Sequence, residues 1–303
     1  MKNILKVVVF VCFANAVSAQ QIPLTSQYMF NDYLLNPAIA GSKDYTQLSL
    51  SARAQWTGLD GAPQTQFFSA QTKIGDKMGL GGFVYNDETG PIRETGFQLS
   101  YAYHLTISDN SKLSFSLGGM FASHYISKAS FRPEEGGDEA LNNLKINSSV
   151  GDINFGILYY TEKYKVGISS PQILQSKLYA GIEPNENLSV LARHYNLYGE
   201  YKFDINDDVA VVPSTLVKYV QGAPIQADIN ARGIYKQKYW LGVSYRYNNA
   251  VSAMVGLSYR NLSFGYAYDY TLTDMNSYST GGHEVFLSLK VFKKIEESSK
   301  KFD

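Results

Sequence analysis

Residues Gly96 to Ile107 read GFQLSYAYHLTI, and this stretch decides the fold. Large apolar and aromatic residues alternate in it with small or polar ones, and the larger set shares one face: Phe97, Leu99, Tyr101, Tyr103, Leu105 and Ile107. A period of two residues is that of a β-strand, in which successive side chains point to opposite faces of the sheet. The stretch therefore predicts a β-strand with one apolar face and one polar face.

The same alternation recurs along most of the chain, and it is clearest in three further runs: Val251 to Arg260, Asn261 to Tyr270 and Glu284 to Val291. Each run has about ten residues, the length that a tilted strand needs to cross a bilayer. The second face carries mainly Ser, Gly, Ala, Asn and Gln, whereas the wet face of a soluble sheet usually carries many charges. We therefore predict an all-β fold, a transmembrane antiparallel β-barrel with a lipid-facing wall and a polar lumen. The alternative is a secreted β-sandwich or a soluble barrel.

The pattern predicts about fourteen strands, an even number as in bacterial outer-membrane barrels. They cover residues 45–56, 63–74, 78–86, 93–107, 112–126, 151–160, 164–170, 192–204, 208–219, 224–235, 238–247, 250–260, 261–270 and 283–292. Every second connection is a short turn, and longer stretches lie between these turns at 57–62, 87–92, 127–150, 171–191 and 271–282. This alternation predicts a closed barrel with both termini in the periplasm. Pro213 fits less well, because proline cannot donate to a strand ladder.

Composition excludes several classes of protein. The 303 residues include 27 Lys and Arg against 27 Asp and Glu, so the basic excess of a nucleic-acid binder is absent. The single Cys excludes an intramolecular disulfide framework and a Cys-based zinc site. Only 18% of the residues are charged, while 24 are tyrosines, many of them toward predicted strand ends, as are Tyr85, Tyr219 and Tyr270. Such tyrosines are typical of the aromatic girdles at the headgroup levels of a membrane barrel, so outer-membrane lipid is an expected partner.

The first residues have the features of a secretory signal peptide. Lys2 and Lys6 flank the start of an apolar run at 7–14, and small residues follow up to Ala19. We expect cleavage after Ala19, which removes Cys12 as well; the alternative is a buried N-terminal helix. The predicted organisation is a signal peptide at 1–19, an N-terminal plug or hatch segment at 20–44, the outer-membrane β-barrel at 45–292 and a charged periplasmic tail at 293–303.

The segment that precedes the first strand is too apolar for a periplasmic tail and does not alternate like a strand. Phe30, Tyr33 and Leu34 have helical spacing, and Pro37 would end such a helix. We predict a short helix and turn folded into the lumen of the barrel. The alternative is a disordered arm.

Nothing in the sequence predicts a catalytic centre. The four histidines lie on different predicted strands and lack metal-ligand spacing: His104, His124, His194 and His283. Residues 167–171 (GISSP) lack the second glycine of a nucleophile elbow, and Gly79–Gly82 lies in a strand and opens no helix. The acidic stretch 132–139 is interpreted as a solvated loop, with calcium or partner binding as the alternative. We expect a protein that is not an enzyme, without catalytic residues, cofactor or metal.

Three blocks of sequence resemble the PorP/SprF family of outer-membrane proteins of the type IX secretion and gliding-motility machinery. The first block carries Tyr28, Phe30, Asn31, Asn36, Pro37, Ala38 and Gly41 in the predicted plug. The second carries Arg53, Gln55, Trp56, Gly58, Gly61 and Pro63 at the first outer loop. The third carries Asn86, Asp87, Gly90 and Pro91 at the second outer loop. From the residue types we expect mainly structural roles for these positions, with partner contact as the alternative.

The resemblance implies an outer-membrane component of the type IX secretion system that binds proteins. Its partners would be periplasmic ring components, the translocon, or an exported surface protein such as an adhesin. The alternative function is that of a channel for hydrophobic solutes, because the fatty-acid-transporter type of barrel resembles this chain in strand number, N-terminal hatch and Asn-Pro-Ala element.

Overall fold

A computed structural model describes residue 23 and residues 25–127, 147–178 and 189–292. The predicted signal peptide at 1–19, the acidic stretch at 132–139 and the charged tail at 293–303 lie outside the described residues. Among the described residues, no helix is long and apolar enough to cross a membrane.

Fourteen antiparallel strands form a closed barrel, which confirms the predicted fold class and strand number. The strands are β1 (Thr46–Ala54), β2 (Gln64–Ile74), β3 (Met78–Thr89), β4 (Ile92–Ser108), β5 (Ser111–Ile126), β6 (Asn147–Tyr160), β7 (Tyr164–Ser170), β8 (His194–Tyr201, continued at Phe203–Asp204), β9 (Val209–Val220), β10 (Gln226–Tyr235), β11 (Tyr239–Arg246), β12 (Ala250–Tyr259), β13 (Leu262–Thr271) and β14 (Gly282–Val291). Each strand pairs with the next along the chain, and β1 pairs with β14 from Thr46↔Val291 to Ala54↔His283. This last pairing closes the barrel, so the main sheet has no open edge.

The two faces of the wall are inverted relative to a soluble protein. Leu99 and Leu241 expose 67% and 66% of their surface, whereas the inward Ser100 between two such residues exposes 5%. The alternation read from the sequence thus places the apolar face outward and the small polar face inward, as in a membrane barrel. Tyr219 and Tyr270 point outward as predicted.

Tyr85 was predicted in the same outer aromatic belt, and there the prediction is wrong. Its ring is 8% exposed and faces the lumen, where it stacks on Phe67. On the inner face of β3, glycines lie near the start of the strand and aromatic rings lie toward its end. The tyrosine at the end of this strand therefore fills space inside the barrel and does not meet headgroups.

Short turns join the strands at one end of the barrel, which we call the turn end, and most of the longer connections lie at the other, which we call the loop end. The predicted loop at 87–92 is an exception. β3 extends to Thr89 and β4 begins at Ile92, so only Gly90 and Pro91 form the turn. Asp87 is therefore a strand residue and not a loop residue, and Asn86 lies in the strand, within the predicted range 78–86.

Pro213 lies inside β9 and pairs with Ala231 of β10. On its other side, the ladder between β8 and β9 is interrupted between Glu200↔Ser214 and Phe203↔Val211 and resumes in the same register. A proline nitrogen cannot donate to the neighbouring strand, which accounts for the interruption without a bulge.

Candidate functional site in the barrel lumen

Residues 25–44, which we call the plug segment, fill much of the lumen. Their hydrogen-bond partners come from strands all around the wall: Ser69, Ser100, Ile157, Ser169, Asn230 and Glu284. These partners lie on β2, β4, β6, β7, β10 and β14. A segment that contacts every side of a closed wall must lie within it.

The plug segment is not the regular helix that the spacing of its apolar residues suggests. It forms two 3-10 turns, Asp32–Leu34 and Pro37–Ile39. Pro37 begins the second turn instead of ending the first, because a residue without an N–H donor suits the first position of a helical turn. Asn36 caps that turn, and its Oδ1 accepts from the Ala38 nitrogen at 2.9 Å.

At the loop end, a buried acidic pair holds the start of the plug segment. The Ser26 nitrogen donates to Glu284 at 2.5 Å, and its hydroxyl donates to Asp269 at 2.5 Å. Arg53 donates to Asp269 at 2.7 Å and lies 3.8 Å from Glu284. Arg53 belongs to the family block assigned to the first outer loop. It lies in β1, within the predicted strand 45–56, and its position on the inward face directs its side chain into the lumen.

At mid-height, polar residues of the family blocks bind the wall. Asn31 donates to Ser69 at 2.9 Å, and Tyr28 accepts from Asn230 at 2.6 Å. Asn36 donates to two backbone carbonyls on adjacent strands, those of Ile157 at 2.9 Å and Ile168 at 3.2 Å.

Glycines make this close approach possible. A Cβ atom on Gly156 would lie 2.1 Å from Asn36 Oδ1, and one on Gly79 would lie 2.0 Å from the carbonyl oxygen of Ala40. A Cβ on Gly81 would meet the ring of Tyr33 at 2.5 Å. The Gly79–Gly82 stretch that resembled a weak phosphate-binding motif is therefore the part of the wall against which the plug segment packs.

Near the turn end, four charged side chains form a neutral cluster. Lys165 contacts both Asp32 and Glu200, the latter at 3.0 Å, and Lys43 lies 3.5 Å from Asp32. Burial by itself raises the pKa of Asp32, but the charges of Lys165 and Lys43 outweigh it and hold the pKa well below its usual value. The carboxylate is therefore ionised and joins the plug segment to β7.

Aromatic packing completes the attachment. The ring of Phe30 lies 3.9 Å from that of Trp240 between centroids, and the guanidinium of Arg232 lies 4.7 Å from the Phe30 ring. Trp240 occupies space left by Gly256, where a Cβ atom would lie 2.0 Å from its ring. Cation–π contact and ring packing in a closed space each add about 1 kcal/mol.

The plug segment separates two cavities that share no lining residue. The loop-end cavity has a volume of about 120 Å³ and a largely apolar lining that includes Leu34, Leu35 and Phe83. The turn-end cavity has a volume of about 430 Å³ and is lined by many charged groups, among them Lys165 and Glu200.

The second and third family blocks meet at the loop end. The Gly90 nitrogen donates to the Gly61 carbonyl at 2.8 Å, and the Gln55 nitrogen donates to the Pro63 carbonyl at 2.9 Å. Gly58, Gly61 and Gly90 have positive φ angles of 101°, 73° and 56°, which L residues seldom adopt. Trp56 also has a positive φ, and β1 ends two residues before it, at Ala54.

Sequence reasoning missed the charged residues that hold the plug: Asp32, Lys165, Glu200, Asp269 and Glu284. For the four strand residues of this set, the available signal was a charge on the otherwise small and uncharged inner face of a strand; Asp32 lies in the plug segment and has no such signal. No group of three or more His, Cys, Asp and Glu residues within the described ranges is placed to hold a metal ion. His104 instead contacts the Ala40 carbonyl and the Tyr160 hydroxyl, each at 2.9 Å.

Comparison with known proteins adds a family and a set of similar folds. A family model described as type IX secretion system membrane protein PorP/SprF matches residues 17–289. No curated protein sequence matches the chain.

Among solved structures, the CymD monoaromatic hydrocarbon channel has a TM-score of 0.51 at 12% identity, covering 90% of this chain and 94% of that one. A Pseudomonas aeruginosa FadL homologue has a TM-score of 0.50 at 13% identity, covering 89% and 95%. A deletion mutant of the monoaromatic hydrocarbon channel TodX has a TM-score of 0.52 at 12% identity, covering 87% and 94%. At such identities the likeness concerns the fold alone.

Proposed function

The chain belongs to the PorP/SprF family of type IX secretion system membrane proteins, and from this we propose that it works in the outer membrane by binding protein partners. We propose as partners the periplasmic ring, the translocon and an exported surface protein such as an adhesin, with a role in gliding motility. Its chemistry is recognition and positioning, without catalysis or a cofactor.

The observation that carries this proposal is the filled lumen. Buried polar contacts fix the plug segment at its start, through Ser26, and in its middle, through Asp32 and Asn36. Breaking one member of a buried ion pair typically costs about 3–5 kcal/mol, so this packing favours a rigid scaffold over an open pore. A scaffold of this kind presents its two ends to partners.

The turn end offers a charged rim for the ring components. Lys202 and Asp204 pair at 2.7 Å, and Lys236 lies 3.8 Å from Asp208; all four side chains are exposed. In the proposed topology the signal peptide at 1–19 is removed, and this end and the tail at 293–303 face the periplasm. The loop end then faces outward and presents the blocks around Trp56 and Gly90 to an exported protein.

Gene deletion tests the biological role. We expect the deletion strain to lose secretion of at least one type IX cargo or to lose surface spreading, and a plasmid copy to restore it. Normal export of every cargo together with normal spreading would contradict the proposal.

Charge reversal at the rim tests the partner surface. In a tagged chain isolated from membranes, we expect the double change Asp207→Lys and Asp208→Lys to reduce recovery of ring components. Both residues are exposed at the turn end. The matched control is Glu88→Lys at the loop end, which should leave this recovery unchanged. Equal recovery from both variants would show that the rim is not the contact surface.

The competing function is a channel for hydrophobic solutes, and the apolar lining of the loop-end cavity is the observation that favours it. Solute uptake and planar-bilayer conductance distinguish the two functions. We expect neither from the intact chain, because the plug segment lies between the two cavities.

A further inference from the structure

The loop-end cavity contains polar groups that neither the packing of the plug segment nor the proposed protein binding uses. From them we propose that this cavity is a binding site for a small organic acid that combines an apolar body, a carboxylate and a hydroxyl group.

Lys218 supplies the positive charge. It shares the inward face of β9 with Leu216 and Val220, and it lines the cavity. Among the described residues, its ammonium lacks a carboxylate at ion-pair distance: Asp228 acts on it electrostatically but is paired with Arg246 at 3.4 Å. A half-buried ammonium without a carboxylate partner is costly, so a ligand carboxylate would relieve this cost.

Two histidines supply hydrogen-bonding positions. His194 lies on β8, where its cross-strand neighbours on β9 are Val220 and, diagonally, Lys218. Its Nδ1 lies 2.7 Å from the Ala192 carbonyl, so Nδ1 carries the hydrogen and the neutral ring presents Nε2 as an acceptor. His124 directs Nδ1 to Glu94 at 3.2 Å. In both rings Nε2 is buried and lacks a partner within the described part of the chain.

Glu94 is the acidic side chain in the lining, and its charge is already engaged. It contacts His124 through one oxygen and accepts from the Tyr85 hydroxyl through the other. Both of its oxygens are therefore occupied by these contacts, and neither pairs with Lys218.

The other residues that line the cavity favour a ligand whose apolar part is of limited size. Its apolar members come from the plug segment, the strands and the loop-end connections: Leu34, Leu35, Phe67, Phe83, Met120 and Leu191. The volume of about 120 Å³ is close to that of an engineered apolar cavity of about 150 Å³ that takes up benzene. A single aromatic ring with a carboxylate at one side and a hydroxyl at the other matches this combination.

The test is a titration of the intact mature chain, in detergent micelles, with 4-hydroxybenzoate, followed by calorimetry. We expect saturable binding at one site. The Lys218→Met variant should bind roughly ten- to a hundredfold more weakly, the range of a charge-assisted hydrogen bond, and Lys218→Arg should keep most of the affinity. Lys290→Met is the control, because Lys290 lines the turn-end cavity instead.

A second measurement needs no variant. 4-Hydroxybenzyl alcohol has the same ring and lacks the carboxylate, so it should bind the unchanged chain at least about tenfold more weakly. Absence of saturable 4-hydroxybenzoate binding, or equal affinity for the acid and the alcohol, would overturn the proposal. So would unchanged affinity in a Lys218→Met variant that still shows the heat-dependent gel shift of a folded barrel.

Discussion

Arg53 and Asp269 are 216 residues apart in the chain, yet inside the barrel Arg53 Nη2 donates to Asp269 Oδ2 at 2.7 Å. Their side chains expose only 4% and 7% of their surface. The pair joins the first strand to the thirteenth across β14, and the same carboxylate accepts the hydroxyl of Ser26. One buried charge pair therefore links the strands on both sides of β14 to the start of the plug segment.

Removal of this guanidinium should destabilise the barrel strongly. We expect Arg53→Met to lower the free energy of unfolding by about 3–5 kcal/mol, because two buried carboxylates lose their compensating charge. Urea unfolding of the chain in micelles measures the change. The control is Arg93→Met, which breaks an exposed pair with Glu88 and should cost less than about 1 kcal/mol. Equal costs would show that burial does not decide the role of Arg53.

We expect the amide nitrogen of the Asn36 side chain, and not only its capping oxygen, to contribute to the stability of the barrel. Asn36→Asp keeps the oxygen that accepts from Ala38 but loses the donors to the carbonyls of Ile157 and Ile168. It also places a negative charge beside two carbonyl oxygens. We expect it to lower the free energy of unfolding by at least about 2 kcal/mol, and more than Asn36→Ala lowers it. A smaller effect of Asp than of Ala would mean that the cap is the main role.

A substitution at Gly79 should loosen the packing of the plug segment against the barrel wall. In Gly79→Ala the new methyl group would lie 2.0 Å from the Ala40 oxygen, so the plug segment must shift. We expect faster thiol labelling of a cysteine placed at Thr25. Gly119→Ala on β5 is the matched control, since nothing lies within 4 Å of its added Cβ. Similar labelling rates in both variants would contradict the close packing of this stretch.

Strand periodicity could be read from sequence because lipid on one side and a crowded polar lumen on the other impose a repeat of two. This is why Phe97 to Ile107 was placed correctly. The expectation that strand-end tyrosines meet headgroups failed at Tyr85, because its ring lies on the inner face of β3 and stacks on Phe67. Alternation also places Arg53 on the polar face of the first predicted strand, but it gives no sign of which carboxylate, over 200 residues away, this side chain will meet. Pairings between distant residues are set by barrel closure, and no local pattern records them.

Acid should weaken the hold on the plug segment at Asp32. The charges of Lys165 and Lys43 keep the pKa of this carboxyl below its unfolded value of about 4. A group with a lowered folded pKa contributes its full stability above the unfolded pKa and loses it as pH falls toward the folded value. We therefore expect the contribution of Asp32 to plug stability to be constant from pH 7 to about 5 and to decline below about 4.

The measurement is labelling of the Thr25→Cys chain after equilibration at each pH, with the labelling itself done at a single pH on a short timescale. Asp32→Asn is the matched variant. It should label faster at pH 7, because Lys165 loses a charged partner, and its labelling should depend less on acid than that of the parent. If the parent and Asp32→Asn show the same acid dependence, another group controls release. Glu284 is then the next to test, since it binds the backbone of Ser26 and Gln27 at the start of the plug segment.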